Sequence, residues 1–282
     1  MNKRVMLLGL LVAVMSVSAL GAGFMGTPTA ELEKGKWSVG YNYMYSDMDL
    51  EKTKMTYTEN EYDAGGDLVD TETGIWHMKI KDFKTQRHYA TIGYGVEDWW
   101  EVYLQLGIAD VKAKVRDADE PEDDWEGLNF DNNFAWGWGT RLTFYEQENI
   151  RWGTSIQMNW LDTSWDTKGI EEEEETVTYK NQIDIDTYDI LIALGPTADM
   201  GGWKLYGGPF FYYLSGDIDI KGTATWATGS ETWKESGDLK ADSNFGGFVG
   251  AQFALSENID MTTEFSFTGD SWAFGTGIAC RF

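Results

Sequence analysis

Carboxylates dominate the chemistry that this sequence could perform. Asp117 to Glu126 (DADEPEDDWE) holds seven acids in ten residues, and Glu171 to Glu175 is an unbroken run of five glutamates. Carboxylate oxygens are hard ligands suited to Ca²⁺ or Mg²⁺, so divalent cations at these acidic loops are one expected partner. Neither run has the ordered ligand spacing around a central glycine that a calcium loop needs. The composition favours a solvated, self-repelling loop, and no metal ligand is assigned. Asp-x-Asp recurs at Asp47/Asp49, Asp184/Asp186 and Asp217/Asp219, but the only histidines are His77 and His88, and neither has an Asp two residues before it. No catalytic residue and no cofactor is assigned.

A second set of charges is spaced differently. Arg87, Glu101, Arg141, Arg151, Asp260, Glu264 and Arg281 fall on the polar or glycine-rich side of segments that alternate with period two. Successive side chains on a strand point to opposite faces, so such segments read as strands between unlike environments. The clearest puts Trp100, Val102, Leu104, Leu106 and Ile108 on one face, with Glu101, Tyr103, Gln105, Gly107 and Ala109 on the other. The pattern recurs near Trp37, His88, Phe134, Trp152, Tyr188, Trp203, Phe245, Ile259 and Trp272, giving about ten strands, each near the length that crosses a bilayer when tilted. Gly207, Gly208 and Pro209 suggest a bulge that leaves the facing of Trp203 to Asp219 open.

Parity extends some of these strands. Trp76, Met78 and Ile80 share the even register of His88 to Val96. Met55 and Tyr57 keep the odd register of Trp37 to Tyr45, and Asp217 to Asp242 reads as a hairpin tipped at Thr228 to Ser230. A wall of sheet standing beyond the main strands is therefore expected.

Connections near positions 97, 147, 200 and 257 are short, whereas those after the first, third, fifth and seventh strands are long. The chain opens with Lys3 and Arg4, an apolar run from Val5 to about Val17, and small residues Ser18, Ala19, Gly21 and Ala22, the anatomy of a secretory signal peptide. Beyond it no apolar run approaches the ~20 residues of a spanning helix. The formal charge of -25 becomes -27 once Lys3 and Arg4 are removed, which excludes nucleic acid as a partner. The single cysteine, Cys280, excludes an intramolecular disulfide.

The last strand places Trp272, Phe274, Thr276, Ile278, Cys280 and Phe282 on one face and stops on phenylalanine. Terminal Phe, signal peptide, alternation and loop asymmetry together resemble bacterial outer-membrane β-barrel proteins across the whole mature chain. The resemblance implies an all-β, transmembrane, antiparallel up-and-down β-barrel with short periplasmic turns and long acidic extracellular loops. Its divisions are a signal peptide at 1–22, a periplasmic linker at 23–35 and the barrel at 36–282. Implied partners are outer-membrane lipid and the barrel-assembly machinery, which reads Trp272, Phe274, Ile278, Cys280 and Phe282 as the assembly signal.

The seven charges listed by parity then line a lumen as a polar network. About eight strands leave an interior just filled by side chains, and wide channels appear near 16–18. The expected role is a structural or loop-binding surface protein with a narrow, filled lumen. The alternative is a narrow pore for small solutes or ions. The omptin proteases, which resemble an extended barrel of this kind, need an Asp pair facing an Asp-His pair. An outer-membrane phospholipase needs a His-Ser pair on the lipid face. Neither pattern falls on one strand here, so the chain is expected not to be an enzyme.

Overall fold

The computed structural model describes residues 24–120, 122, 124–172 and 176–282. The signal segment expected at 1–22 and the glutamates at 173–175 lie outside the described residues. Twelve antiparallel strands form one sheet: β1 (Trp37–Met48), β2 (Thr53–Asp63), β3 (Leu68–Glu97), β4 (Trp100–Asp117), β5 (Glu126–Gln147), β6 (Ile150–Glu172), β7 (Thr176–Asp199), β8 (Trp203–Trp226), β9 (Gly229–Lys240), β10 (Phe245–Ala254), β11 (Ile259–Phe267) and β12 (Ser271–Arg281). All but β2 and β9 close a ring, because β1 pairs with β3 on one side and with β12 on the other. Phe282 and Trp37 exchange both backbone hydrogen bonds, 2.9 and 3.0 Å, and seal the seam. Closure leaves no free edge within the membrane, where an unpaired backbone group has no water to turn to.

The ring is only the base of the molecule. β3 pairs with β1 over Phe83–Tyr94 but with β2 over Leu68–Met78. β8 likewise pairs with β10 up to Phe211 and with β9 from Ser215 onward. β9 joins β2, so a sheet ordered β6-β7-β8-β9-β2-β3 stands above the ring. The β8–β9 hairpin turns between Trp226 and Gly229, as the parity of Asp217 to Asp242 predicts. Much of what reads as long loop is thus strand.

Two residues with left-handed backbone set which side chains meet in this upper part. Asp82 (φ 49°) and Asn132 (φ 57°) each mark a bulge that adds one residue to its strand. Short polar side chains tolerate that conformation best after glycine. One extra residue exchanges the two faces. Trp76, Met78 and Ile80 therefore turn inward above Asp82, although strict parity places them outward with His88. Met55 and Tyr57 are corrected in the same way, because the connection between β1 and β2 resets the register, and Met55 is fully buried. On β5 the flip brings Leu128 and Phe130 inward. On β8 the even residues Tyr206, Phe210, Tyr212, Leu214 and Ile218 are buried, which settles the facing that the glycines left open.

Deleting Asp82 removes the extra residue and returns Met78 and Ile80 to the outside. Each side chain forfeits about 1.5–3 kcal/mol of burial. The expected result is proteolysis of the upper sheet near the β2–β3 tip, with heat-modifiable migration of the ring retained.

The upper sheet also carries an electrostatic strain. Glu61 lies directly opposite Glu231, and burial together with Glu59 pushes the Glu231 carboxyl above the usual carboxylate range. Burial raises Glu235 too, against the Trp76 indole N–H that donates to it at 2.8 Å. A carboxyl raised in the folded state favours folding while protonated, and that contribution is lost as pH rises through the folded value. The double substitution Glu231→Gln/Glu235→Gln is thus expected to raise the melting temperature at pH 7.5 by a few degrees. The gain should vanish near pH 4 in a melting series.

Candidate functional site

The outward face of the ring is apolar. Tyr41, Ile92, Leu104, Leu106, Ile108, Val249 and Ile278 are exposed on it, while their strand neighbours point into the barrel. Aromatic residues gather at both ends of this band. Tyr45 meets Trp272 (4.9 Å) and Trp136 stacks with Trp160 (4.3 Å) at the loop end; Trp37 meets Tyr94 (4.7 Å) and Trp203 meets Phe253 (6.3 Å) at the turn end. Aromatic girdles of this kind flank the apolar band of membrane barrels. Of the proposed assembly residues, Ile278, Cys280 and Phe282 are exposed on this face, and Trp272 and Phe274 are half-buried.

The interior of the lower ring is a set of charge pairs. Arg141 meets Glu101 on the adjacent strand at 2.7 Å, and Arg281 meets Asp260 at 2.8 Å. Arg87 reaches across the lumen from β3 to Asp189 on β7 at 2.9 Å, with both side chains almost fully buried. Asp189 also accepts from Asn159 (2.6 Å), which accepts from Gln157 (3.2 Å), which accepts from the Tyr103 hydroxyl (2.9 Å). A buried charge without a partner is costly, and Arg87, Arg141 and Arg281 each meet a carboxylate here, although the Nε atoms of Arg87 and Arg141 are buried without a hydrogen-bond partner.

Residues 24–32 complete the set, and here the expectation of a periplasmic linker at 23–35 is corrected. Phe24, Met25, Thr27, Thr29, Ala30 and Leu32 are buried inside the ring. The Met25 N–H donates to Glu264 (2.9 Å), Arg141 donates to the Met25 carbonyl (3.0 Å), and the Ala30 N–H donates to Thr143 (3.0 Å). The Glu31 N–H donates to Glu101 at 2.8 Å. The Glu31 carboxylate holds Arg151 at 2.6 Å and also Lys204. The segment lacks strand alternation because the wall gives it side-chain partners instead of a ladder. Gly26 (φ 71°) makes the turn that brings its backbone against Arg141. The space left between the segment and β1 and β12 amounts to about 90 Å³, room for a few water molecules.

Above this polar layer the lumen turns apolar. Met48, Phe83, Val111, Phe130, Ile185, Tyr212 and Ile218 are buried together, continuous with Met55, Met78 and Leu239 under β2 and β9. The barrel is filled twice, by ion pairs below and hydrocarbon above.

Parity locates all seven sequence-assigned charges on the inner face, where the structure places them. It misses Glu31, which lies outside any strand, and Lys204, in the segment of open facing. Asp189, between outward Tyr188 and Ile190, could have been found by the same alternation.

The catalytic candidates lie elsewhere. His77, on the outer side of β3, pairs with Asp119 at 2.8 Å, and Lys52 joins the same carboxylate at 2.9 Å. Hydrogen bonds from Lys52 and His77 hold Asp119 below the usual carboxylate range. This Asp-His pair is invisible to local spacing, since 42 residues separate its members. His88 is half-buried on the apolar face, bonded to the Tyr41 hydroxyl at 2.6 Å. The Asp184, Asp186, Asp217 and Asp219 side chains stand on β7 and β8, with β9 and β2 between them and His77. No group of three or more metal-ligating side chains is gathered among the described residues.

Over residues 97–282 the sequence matches the family described as outer membrane protein beta-barrel domain. No curated protein matches the sequence. Among solved structures it is similar to the outer membrane protease OmpT of Escherichia coli, at 10% identity over 85% of this chain and 97% of that one, with a TM-score of 0.38. It is also similar to the COG4313 outer membrane channel of Pseudomonas putida F1 (11% identity, 93% and 100% covered, TM-score 0.31) and to Ail, the attachment invasion locus protein of Yersinia pestis (12%, 88% and 99%, 0.25). A protease, a channel and an attachment protein at such low similarity say nothing about which activity this chain has. Closed ring, apolar outer band, girdles and family match agree on one point: the chain belongs to the outer membrane β-barrel family and resides in the outer membrane.

Proposed function

We propose that this barrel is a non-conducting surface scaffold: a filled membrane base that holds the sheet β6-β7-β8-β9-β2-β3 and its acidic edges clear of the bilayer for binding. The carrying observation is the burial of residues 24–32 inside the ring, with Glu31 held by Arg151 and Lys204. A conduit would have to displace that segment and then cross the apolar layer of Phe83, Tyr212 and Ile185. The same reading makes the last strand the assembly signal, and leaves divalent cations to the acidic Asp117 to Glu126 segment. The placement of His77 away from the Asp184/Asp186 and Asp217/Asp219 pairs, with β9 and β2 between them, supports a non-enzymatic role. Planar bilayers containing the purified protein are expected to show no conductance steps at 1 M KCl. Steady ohmic steps, altered by Arg141→Ala or Glu264→Ala, would instead favour the narrow-pore reading.

A further inference from the structure

The sheet above the ring is open between β5 and β6. These strands pair from Gln147 and Ile150 up to Ala135 and Leu161 and no further. The bulge at Asn132 (φ 57°) lies just beyond that last pair, and a bulge bends its strand and can end pairing. Above it β5 continues beside β4, over Glu126 to Phe130. β6 runs on from Asp162 to Glu172 with β7 as its only partner strand among the described residues. The parting lies just above Trp136 and Trp160 of the loop-end girdle, so the open edge faces water, which can solvate it, rather than lipid.

An unpaired strand is a template for another chain, and proteins commonly blunt such an edge with proline, a bulge or brevity. This edge has none of these. Asp162 to Glu172 contains no proline, and the register with β7 is unbroken from Ile150 opposite Ala198 to Glu172 opposite Thr176. About 36 Å of regular strand is thereby left open on one side. At its foot the Thr163 hydroxyl is buried with no hydrogen-bond partner, so one polar group there is already unanswered.

The side chains along the edge define what fits against it. On the outer face Asp162, Ser164, Asp166 and Lys168 are exposed, and on the inner face Trp165 is half-buried against the apolar core. Asp162 also ends a row of aspartates that crosses the sheet: it lies opposite Asp186, Asp186 opposite Asp217, and Asp217 opposite Asp238. Of the four, only Asp238 has an ion-pair partner among the described residues, Lys240 at 4.0 Å. Like charges directly opposite one another are destabilising, whereas opposite charges so placed are stabilising. A cation set beside Asp162 relieves the row at its open end.

We propose that the β6 edge above Leu161 takes up an extended basic peptide of a partner protein as an added strand. Main-chain hydrogen bonds to the open edge supply the affinity, and alternate side chains supply the selectivity. Basic residues lie beside Asp162 and Asp166, a polar residue beside Ser164 between them, and an apolar one on the inner side beside Trp165. This names a partner class for the surface scaffold and rests on that reading.

The test uses the full-length barrel in nanodiscs and a dye-labelled, end-capped peptide, Lys-Val-Thr-Val-Lys-Val-Thr-Val. The control is the same peptide with every valine of D configuration, which keeps charge and composition but cannot turn its side chains to alternate faces of a strand. Fluorescence anisotropy is expected to show the all-L peptide binding at least tenfold more tightly than the control. Asp162→Asn/Asp166→Asn is expected to weaken all-L binding at least tenfold, with heat-modifiable migration unchanged. Bound peptide is expected to slow amide exchange in Ser164 to Lys168. Equal binding of the two peptides would overturn the proposal in favour of adsorption by charge. Binding that leaves exchange in Ser164 to Lys168 unaltered would overturn it as well. Either result in a barrel that shows no conductance steps removes strand addition alone and leaves the filled scaffold standing.

Discussion

Asp189→Ala is expected to cost the barrel about 3–5 kcal/mol, because it leaves the guanidinium of Arg87 buried and unpaired. Asn159 loses its acceptor in the same step. The cost is asymmetric. Replacing both partners by apolar residues of similar volume, as in Arg87→Met/Asp189→Leu, removes the charge together with its need for a partner, and such swaps are commonly near neutral. Urea titrations followed by heat-modifiable migration should rank the variants as wild type, close double variant, far less stable single variant. If the double variant is as damaged as the single one, the lumen needs this ion pair for something other than charge neutralisation.

Removal of residues 24–34 is expected to have the second large effect, and in an informative direction. Arg151 and Lys204 lose Glu31, while Glu264, Glu101, Arg141 and Thr143 lose the backbone groups they bond. At about 1–3 kcal/mol for each buried group left without a partner, the deletion should destabilise the ring more than any single substitution. It should nonetheless fail to create a channel, because Phe83, Phe130, Ile185 and Tyr212 still close the lumen above. Conductance should appear only when the deletion is combined with truncations in that layer, such as Phe83→Ala/Tyr212→Ala. A channel opened by the deletion alone would show that the upper layer is permeable.

The membrane part of this fold was legible because each ring strand separates hydrocarbon from a polar interior, and alternation records that contrast residue by residue. Leu104 and Ile108 outward, Glu101 and Gln105 inward, needed no structure. Three things escaped. Asp82 and Asn132 flip the faces of their strands through a backbone conformation that sequence marks only as an Asp or Asn among many, so Trp76, Met78 and Ile80 were assigned to the wrong side. The 24–34 segment answers to partners scattered over β4, β5, β6, β8 and β11, none of which leaves a periodic trace in it. Pairing across the lumen was equally hidden: Glu101 and Arg141 are cross-strand neighbours, but Arg87 and Asp189 meet only because the ring closes. Alternation gives the face of a residue and not the strand it confronts.

Amide hydrogen exchange in residues 24–34 tests the filled lumen most directly. The Met25, Ala30 and Glu31 N–H groups each donate to a wall side chain. In nanodiscs they are expected to exchange as slowly as strand amides such as those of Gln105 and Gln157. Exchange of all three at free-peptide rates, with the ring amides still protected, would contradict an N-terminal segment seated inside the barrel.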